Sequence, residues 1–427
     1  MTKSPLQLQR ERVLGAGAEL FYREPVQIVR GQGAYLYDDA GRRYVDMYNN
    51  VPCVGHANQA VVEAMTRQQS TLNVHSRYLH EGIVAFAERL TGLQHDGIDC
   101  AVFSCSGTEA VEVALQMARV ATGAQGIVCT DSTYHGGSTL VSQLSYITLT
   151  GLQSDEIKAF PYPELYRPRV AGATEHDIGE AYLAKLAEAI EQTRQSGAGF
   201  SALILCSILA NEGLPQIPAG FMARAVEMAH AAGGLVIADE VQSGYGRTGT
   251  WWGYDAVGFR PDIIVTGKPM GNGLPLAATT ARRSLVDAFR AKTDYFNTCA
   301  ASPLQAAVGM AVLDEIERMA LVDNAAEVGA YLKTELAKRR QGNAFMGDVR
   351  GQGLFVVVEM VTDPESKTPD AACAVRLTNM LKDKGFLTST DGAFNNILKI
   401  RPPLVFSRQN ADDFLAAFDE TLDALHA

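Results

Sequence analysis

The stretch "DIIVTGKPMGNGLP", residues 262–275, decides how the chain is read. Apolar and β-branched residues run straight into Gly267-Lys268, followed by Gly271-x-Gly273. The run predicts a buried strand, and a lysine at the end of such a strand is expensive to keep charged. Lys268 must therefore be paired, neutralised or used. The preceding apolar run, "LVIADEVQ" (235–242), carries Asp239 at its end. In a parallel sheet both residues emerge at the same edge, where ligands gather.

Working outward, short apolar runs alternate with amphipathic stretches. "CAVFSCSG" (100–107) reads as a strand and turn, and "TEAVEVALQMARVAT" (108–122) as the helix after it. "GIVCTDSTYHG" is the next strand, "AYLAKLAEAIEQTRQS" a helix and "SALILCSI" a strand. "GFMARAVEMAHAAGG" is a helix stopped by glycines. This order implies an α/β fold with a mostly parallel sheet and helices on both faces. The flanks differ. "GAYLYDDAGRRYVDM" (33–47) is a hairpin by its Asp-Asp-Ala-Gly turn. After about residue 300 come a long helix, "PLQAAVGMAVLDEIERM", a further helix near 373–384, a strand "NILKIRPPLVF" and a last helix. We expect a large domain over 55–300 and a small α+β domain built from 1–54 and 301–427.

The composition is that of an ordinary soluble globular protein: 427 residues, 47% apolar and 20% charged. A net charge of −11 without long charge runs argues against nucleic acid and anionic membranes as partners. The seven cysteines are scattered and form no C-x-x-C pair. Neither a disulfide framework nor a zinc site is expected, and a reducing cytoplasm fits. The opening "MTKSPLQLQRERVLG" has no apolar core, so no signal peptide is expected.

Two further clusters bear on Lys268. "SCSGTEA" (104–110) places Ser106, Gly107 and Thr108 at a strand-to-helix turn. Its free N–H groups suit a phosphate, although many helices begin with such caps. "TYHGG" (133–137) puts Tyr134 and His135 at another strand end. Alone, Asp239 and Lys268 also describe a buried ion pair, and an aromatic at a strand end also describes core. Together the clusters offer a phosphate cradle, a flat ring, a carboxylate and a lysine. Pyridoxal 5′-phosphate needs all four, and its aldehyde gives Lys268 a covalent use as a Schiff base.

"SGTEA", "YHGG", "ADEVQSGYGRTG" (238–249) and "TGKPMGNGLP" (266–275) resemble the class III aminotransferases, within fold type I of the pyridoxal-phosphate enzymes. The resemblance runs from "GAYLYDDAGRRYVDMYNN" to "LKIRPPLVF". It implies Lys268 as the Schiff-base lysine and general acid–base, and Asp239 as partner of the pyridine nitrogen. It implies Gln242 at the ring hydroxyl, Val241 under the ring and Tyr134, beside His135, over it. Ser106, Gly107 and Thr108 would hold the phosphate. Thr298, in "YFNTCAASP", would reach the phosphate in a neighbouring subunit, which implies a homodimer with active sites at the interface. Asn50, Lys399 and Arg401 are the candidate substrate contacts.

The chain departs from that pattern in places. Cys206-Ser207 stands where many members have Glu-Pro, and Asn211, followed by Glu212, where many have an acidic residue. Lys399 replaces a frequent arginine. On a strand Lys399 and Arg401 share a face, which is either solvated or an anion site. "NNVPCVGHANQ", "NVHSRYLH" and "YFNT" also resemble the ethanolamine-phosphate phospho-lyases, whereas "GHANQ" and "CAASP" differ from the usual "GHCHP" and "GGNP". The expected activity is amino transfer from an amine or ω-amino acid to a keto acid such as pyruvate. The alternative is a lyase acting on an amino-phosphate or phosphonate.

Overall fold

Every residue of the strands Phe200–Cys206, Leu235–Asp239 and Ile263–Thr266 is buried. Runs without alternation belong to strands covered on both faces. In the computed structural model, which describes residues 3–145 and 154–426, they form the centre of a seven-stranded sheet. Its order is Cys100–Ser104, Ala277–Ala281, Ile263–Thr266, Leu235–Asp239, Phe200–Cys206, Gly126–Thr130, Ile157–Phe160. Ala277–Ala281 runs antiparallel to both neighbours; the other pairings are parallel. This is the mostly parallel α/β sheet that the alternation of elements implies.

Register places the functional edge. Cys206 lies opposite Asp239, and Asp239 opposite Val265. Three strands thus finish nearly flush, and Lys268 follows three residues beyond Val265. The strand itself stops at Thr266, and Lys268 opens a short 3-10 turn, Lys268–Gly271. On the sheet's edge strand, Ser104 leads into the helix Gly107–Thr122. Ser106 caps that helix by accepting the Glu109 N–H at 3.2 Å, and Gly123, left-handed at φ 70°, ends it. Removing such a cap costs about 1 kcal/mol.

The flanks of the chain make two smaller sheets. The hairpin Tyr35–Asp38 and Arg43–Asp46 turns where the Asp38 side chain accepts the N–H groups of Ala40 and Arg42 at 3.1 and 2.8 Å. Ile28–Gln32 pairs on its outer side, and Phe386–Leu387 joins Arg43–Asp46 in parallel. The second sheet, in the order Met346–Gln352, Phe355–Met360, Ile397–Ile400, Ser389–Asp391, is antiparallel throughout. A main-chain bond from Arg401 N–H to Met47 O, 2.7 Å, ties this sheet to the hairpin. Among the described residues no helix is long and apolar enough to cross a membrane.

Candidate active site

Asp239 is the last residue of its strand, and the chain turns over its carboxylate. Oδ1 accepts the Val241 N–H at 3.0 Å, and Oδ2 lies 2.6 Å from His135 Nδ1. Both partners are neutral donors when the imidazole is neutral, and each carboxylate oxygen retains a lone pair. The same turn presses Val241 against two glycines. A Cβ on Gly107 would meet Val241 Cγ2 at 3.1 Å, and one on Gly267 at 3.4 Å. Glycine at 107 thus lets the helix start approach the end of the Leu235–Asp239 strand.

Gly107, Thr108, Tyr134, His135, Asp239, Val241, Gln242 and Lys268 line one cavity of about 230 Å³. The Lys268 side chain is exposed within it. The strand is buried, but the amine at its end opens on the cavity. The surrounding walls still desolvate it and, with Arg401 adding repulsion, lower its pKa against the opposing pull of Asp239. Tyr134 keeps 42% of its surface exposed, as a ring with an open side would.

Ser106 and Thr298 lie outside that lining. Ser106 is exposed, its hydroxyl spent on the helix cap. Thr298 is exposed on the single chain. Its neighbour Asn297 donates to Glu109 Oε2 at 2.9 Å, which ties this segment to the first turn of the Gly107–Thr122 helix. Asn50 is buried behind the site and donates to the Gln242 main-chain oxygen at 3.0 Å. Sequence reasoning did not include Cys206, Asn211 and Gly136, which also line the cavity. Asn211 joins two walls, donating to Tyr134 O at 3.2 Å and accepting from Gln242 Nε2 at 3.0 Å. Gly136, at φ 148°, leaves room where a Cβ would lie 2.5 Å from Thr108 Oγ1. The paired glycines of "YHGG" were the signal for it.

Lys399 and Arg401 are each 5% exposed, so the solvated-face alternative fails. Lys399 ends its reach on Asp391. Arg401, just past the strand Ile397–Ile400, donates to Gln242 Oε1 and to Tyr48 O, and packs over the rings of Tyr48 and Phe355. Burial foremost, with repulsion from Arg401, brings the Lys399 pKa down to about 8 against the opposing pull of Asp391.

The donor set fits pyridoxal 5′-phosphate. The first-turn N–H groups of Gly107 and Thr108 have no acceptor within their helix and favour a phosphate. Gly107 and Gly136 let the backbone close in where a Cβ would meet Val241 at 3.1 Å and Thr108 Oγ1 at 2.5 Å. An accessible amine of lowered pKa and a well-held Asp239 carboxyl group line the same cavity.

Comparison with known proteins agrees. The model of the aminotransferase class-III family matches residues 21–422. An alanine–glyoxylate aminotransferase 2-like protein of Drosophila melanogaster is 36% identical over 426 residues, covering 97% of this chain and 86% of the relative. An ethanolamine-phosphate phospho-lyase homolog of Caenorhabditis elegans is 29% identical over 442 residues, covering 100% and 94%. Among solved structures, a phospholyase from Arthrobacter in complex with phosphoethanolamine superposes with a TM-score of 0.95 at 36% identity, over 98% of this chain and 99% of that one. The chain belongs to the class-III aminotransferases, fold type I enzymes that depend on pyridoxal 5′-phosphate.

Proposed function

We propose that this protein transfers the amino group of a small amine or ω-amino acid to a keto acid such as pyruvate. The observation that carries the reading is the accessible Lys268 amine sharing one cavity with Asp239 and Gln242. When bound, pyridoxal phosphate supplies a carbonyl that condenses with amines and a ring that accepts electrons from the neighbouring carbon. The chain's own residues supply the rest. Gly107 and Thr108 hold the phosphate, and Val241 and Tyr134 enclose the ring. Asp239 keeps negative charge at the ring nitrogen, and Gln242 meets the ring hydroxyl. Lys268, its pKa lowered, takes a proton on Nζ and returns it, as a general base and acid must. Lys399 and Arg401 form a cationic wall suited to an anionic end of the substrate.

A second reading has its own support. Lysine suits a phosphate as a point charge, and the phosphoethanolamine-bound structure is a close match over nearly the whole chain. A lyase would use the same proton abstraction and then release phosphate. One experiment separates the two. Amine donor alone should bleach the visible absorbance of the holoenzyme, and pyruvate should restore it. Sustained release of ammonia and phosphate from an amino-phosphate without any keto acid would establish the lyase instead.

We read the assembly as a homodimer with Thr298 reaching the partner's phosphate. Exposed apolar residues at Leu72, Tyr78, Leu79 and Val84 support a face covered in the assembly. Light scattering that finds a monomer with full cofactor occupancy would refute this. We also read 55–300 as the cofactor domain, with 1–54 and 301–427 as the smaller one. Seven free cysteines support a reducing, cytoplasmic setting, which fractionation of the source cells would check.

A further inference from the structure

The bonds that Asn211 makes between Tyr134 and Gln242 have a direction. A main-chain carbonyl can only accept, and a guanidinium can only donate. Tyr134 O therefore holds Asn211 Nδ2 on its side, at 3.2 Å, and leaves Oδ1 for the other. Oδ1 accepts from Gln242 Nε2 at 3.0 Å. Gln242 Oε1 is then left for Arg401, which donates to it through Nη1. The line from Arg401 through Gln242 and Asn211 to Tyr134 thus runs one way. Turning either amide over would set oxygen against oxygen on one side and N–H against N–H on the other. Turning both would move those clashes to the two ends.

The line is also held in place. The Gln242 main-chain oxygen accepts from the Asn50 side chain at 3.0 Å. Asn211 sits in a tight loop, closed by the Leu214 N–H on Leu209 O at 3.0 Å. Leu209 and Leu214 both take a left-handed φ of 50°, costly for a bulky side chain. Arg350 Nε grips the carbonyls of Gly213 and Leu214 at 3.1 and 3.0 Å, and the neighbouring Glu212 accepts the Thr130 hydroxyl at 2.6 Å. Backbone strain of this kind persists where the surroundings over-determine it, and it gathers at functional sites.

Gln242 Nε2 carries two hydrogens, and Asn211 takes one. Among the described residues nothing accepts the other, although Gln242 is only 7% exposed and lines the cavity with Lys268 and Asp239. We propose that Asn211 is a positioning residue that makes Gln242 a hydrogen-bond donor to the cofactor. With its oxygen committed to Arg401 and one hydrogen to Asn211, Gln242 offers the remaining N–H to the ring hydroxyl oxygen. The proposal rests on Gln242 meeting that hydroxyl, as read above. An acidic residue at 211 could accept from Gln242 but could not donate to Tyr134 O; the asparagine does both.

The test measures binding rather than turnover. Cofactor-free full-length protein is titrated calorimetrically with pyridoxamine phosphate and with 3-deoxypyridoxamine phosphate, which lacks the ring hydroxyl. Circular dichroism establishes the folding of each variant. Wild type should hold the hydroxyl-bearing compound about 10-fold more tightly, the scale of one net hydrogen bond. Asn211→Ala and the similarly sized Asn211→Leu should each reduce that preference about 3- to 10-fold, because Gln242 is then held at one end only. Gln242→Ala should abolish it. Gln242→Glu, which keeps the shape and the Arg401 contact but has no N–H to give, should abolish it too. Adding Asn211→Ala to Gln242→Ala should change the preference by less than about twofold, because the two residues act as one unit. The proposal is overturned if both Asn211 variants keep the full preference, or if Asn211→Ala still reduces it where Gln242 is absent. It is equally overturned if Gln242→Glu keeps the preference, since the amide oxygen would then face the ring. A preference that survives Gln242→Ala removes Gln242 from the ring hydroxyl and takes the proposal with it. No substrate enters the measurement, so a failure of the transaminase reading shows only in the bleaching experiment above.

Discussion

Asp239 and Lys399 are equally buried, each 5% exposed, and each carries a charge near the same cavity. Their partners differ in kind. Asp239 spends its oxygens on the Val241 N–H and on His135, donors that leave its net charge in place. Lys399 is matched by Asp391, which cancels much of its charge. The first arrangement is prepared for a permanent ligand. The second must share or release a partner before it can hold an anion, so only an anion of the right reach displaces the pairing. On the proposed reading of Lys399 as a substrate contact, its pairing with Asp391 would favour anions able to displace that carboxylate.

The comparison is broken or sharpened by four measurements. Lys268→Ala should remove turnover by a factor on the order of 10⁴ or more, as for other groups used covalently. If borohydride reduction and peptide mapping mark another lysine, the cofactor side has been misread. Asp239→Asn keeps the shape and removes the charge, and should slow turnover on the order of 10²- to 10³-fold. Near-normal rates in that variant would mean that the floor's charge is idle.

The Lys399 wall should instead show itself through pH. With its pKa lowered to about 8, the ammonium is present below that value and is lost as pH rises through it. KM for an anionic substrate should therefore be flat below about pH 8 and climb above it, and Lys399→Arg should move the climb upward. The same shift has the opposite sign for stability. The unfolded lysine holds its proton to about 10.4, so the unfolded state binds more protons above about 8 and stability rises with pH there. A KM independent of pH across 7–9.5 would remove Lys399 from the substrate wall. The smallest effect belongs to Asn50→Ala. Losing one buried hydrogen bond to the Gln242 main chain should cost about 1 kcal/mol and lower Tm by a few degrees. Calorimetry and KM together decide whether Asn50 braces Gln242, as its bond indicates, or touches substrate.

The sheet and its edge were legible because the residues that make them are local signals. An uninterrupted apolar run, a carboxylate or lysine at its end and a Ser-Gly-Thr turn need no distant partner to be recognised. What escaped is what only the fold brings together. Nothing near Asn50 in sequence reveals its bond to the Gln242 main chain. Asn211 was singled out as a departure, yet its bonds to Tyr134 and Gln242 join segments far apart in the chain. The pairing of Lys399 with Asp391 depends on an antiparallel register between Ser389–Asp391 and Ile397–Ile400 that no spacing rule reveals. The shared edge of Lys268 and Asp239 was legible from the strand ends, whereas Cys206, Asn211 and Gly136 in the same lining were not.

The parallel pairing of Arg43–Asp46 with Phe386–Leu387 has a consequence for how the protein comes into being. A ribosome adding ~5–20 residues per second leaves the hairpin waiting roughly tens of seconds for its last neighbour. Until then Arg43–Asp46 is an open edge, a template for pairing with another nascent chain. The cations at 399 and 401 arrive only with the final tenth of the polypeptide. The newborn chain thus carries a cofactor floor long before it has a chamber, and the interval favours partners or chaperones that cover the edge.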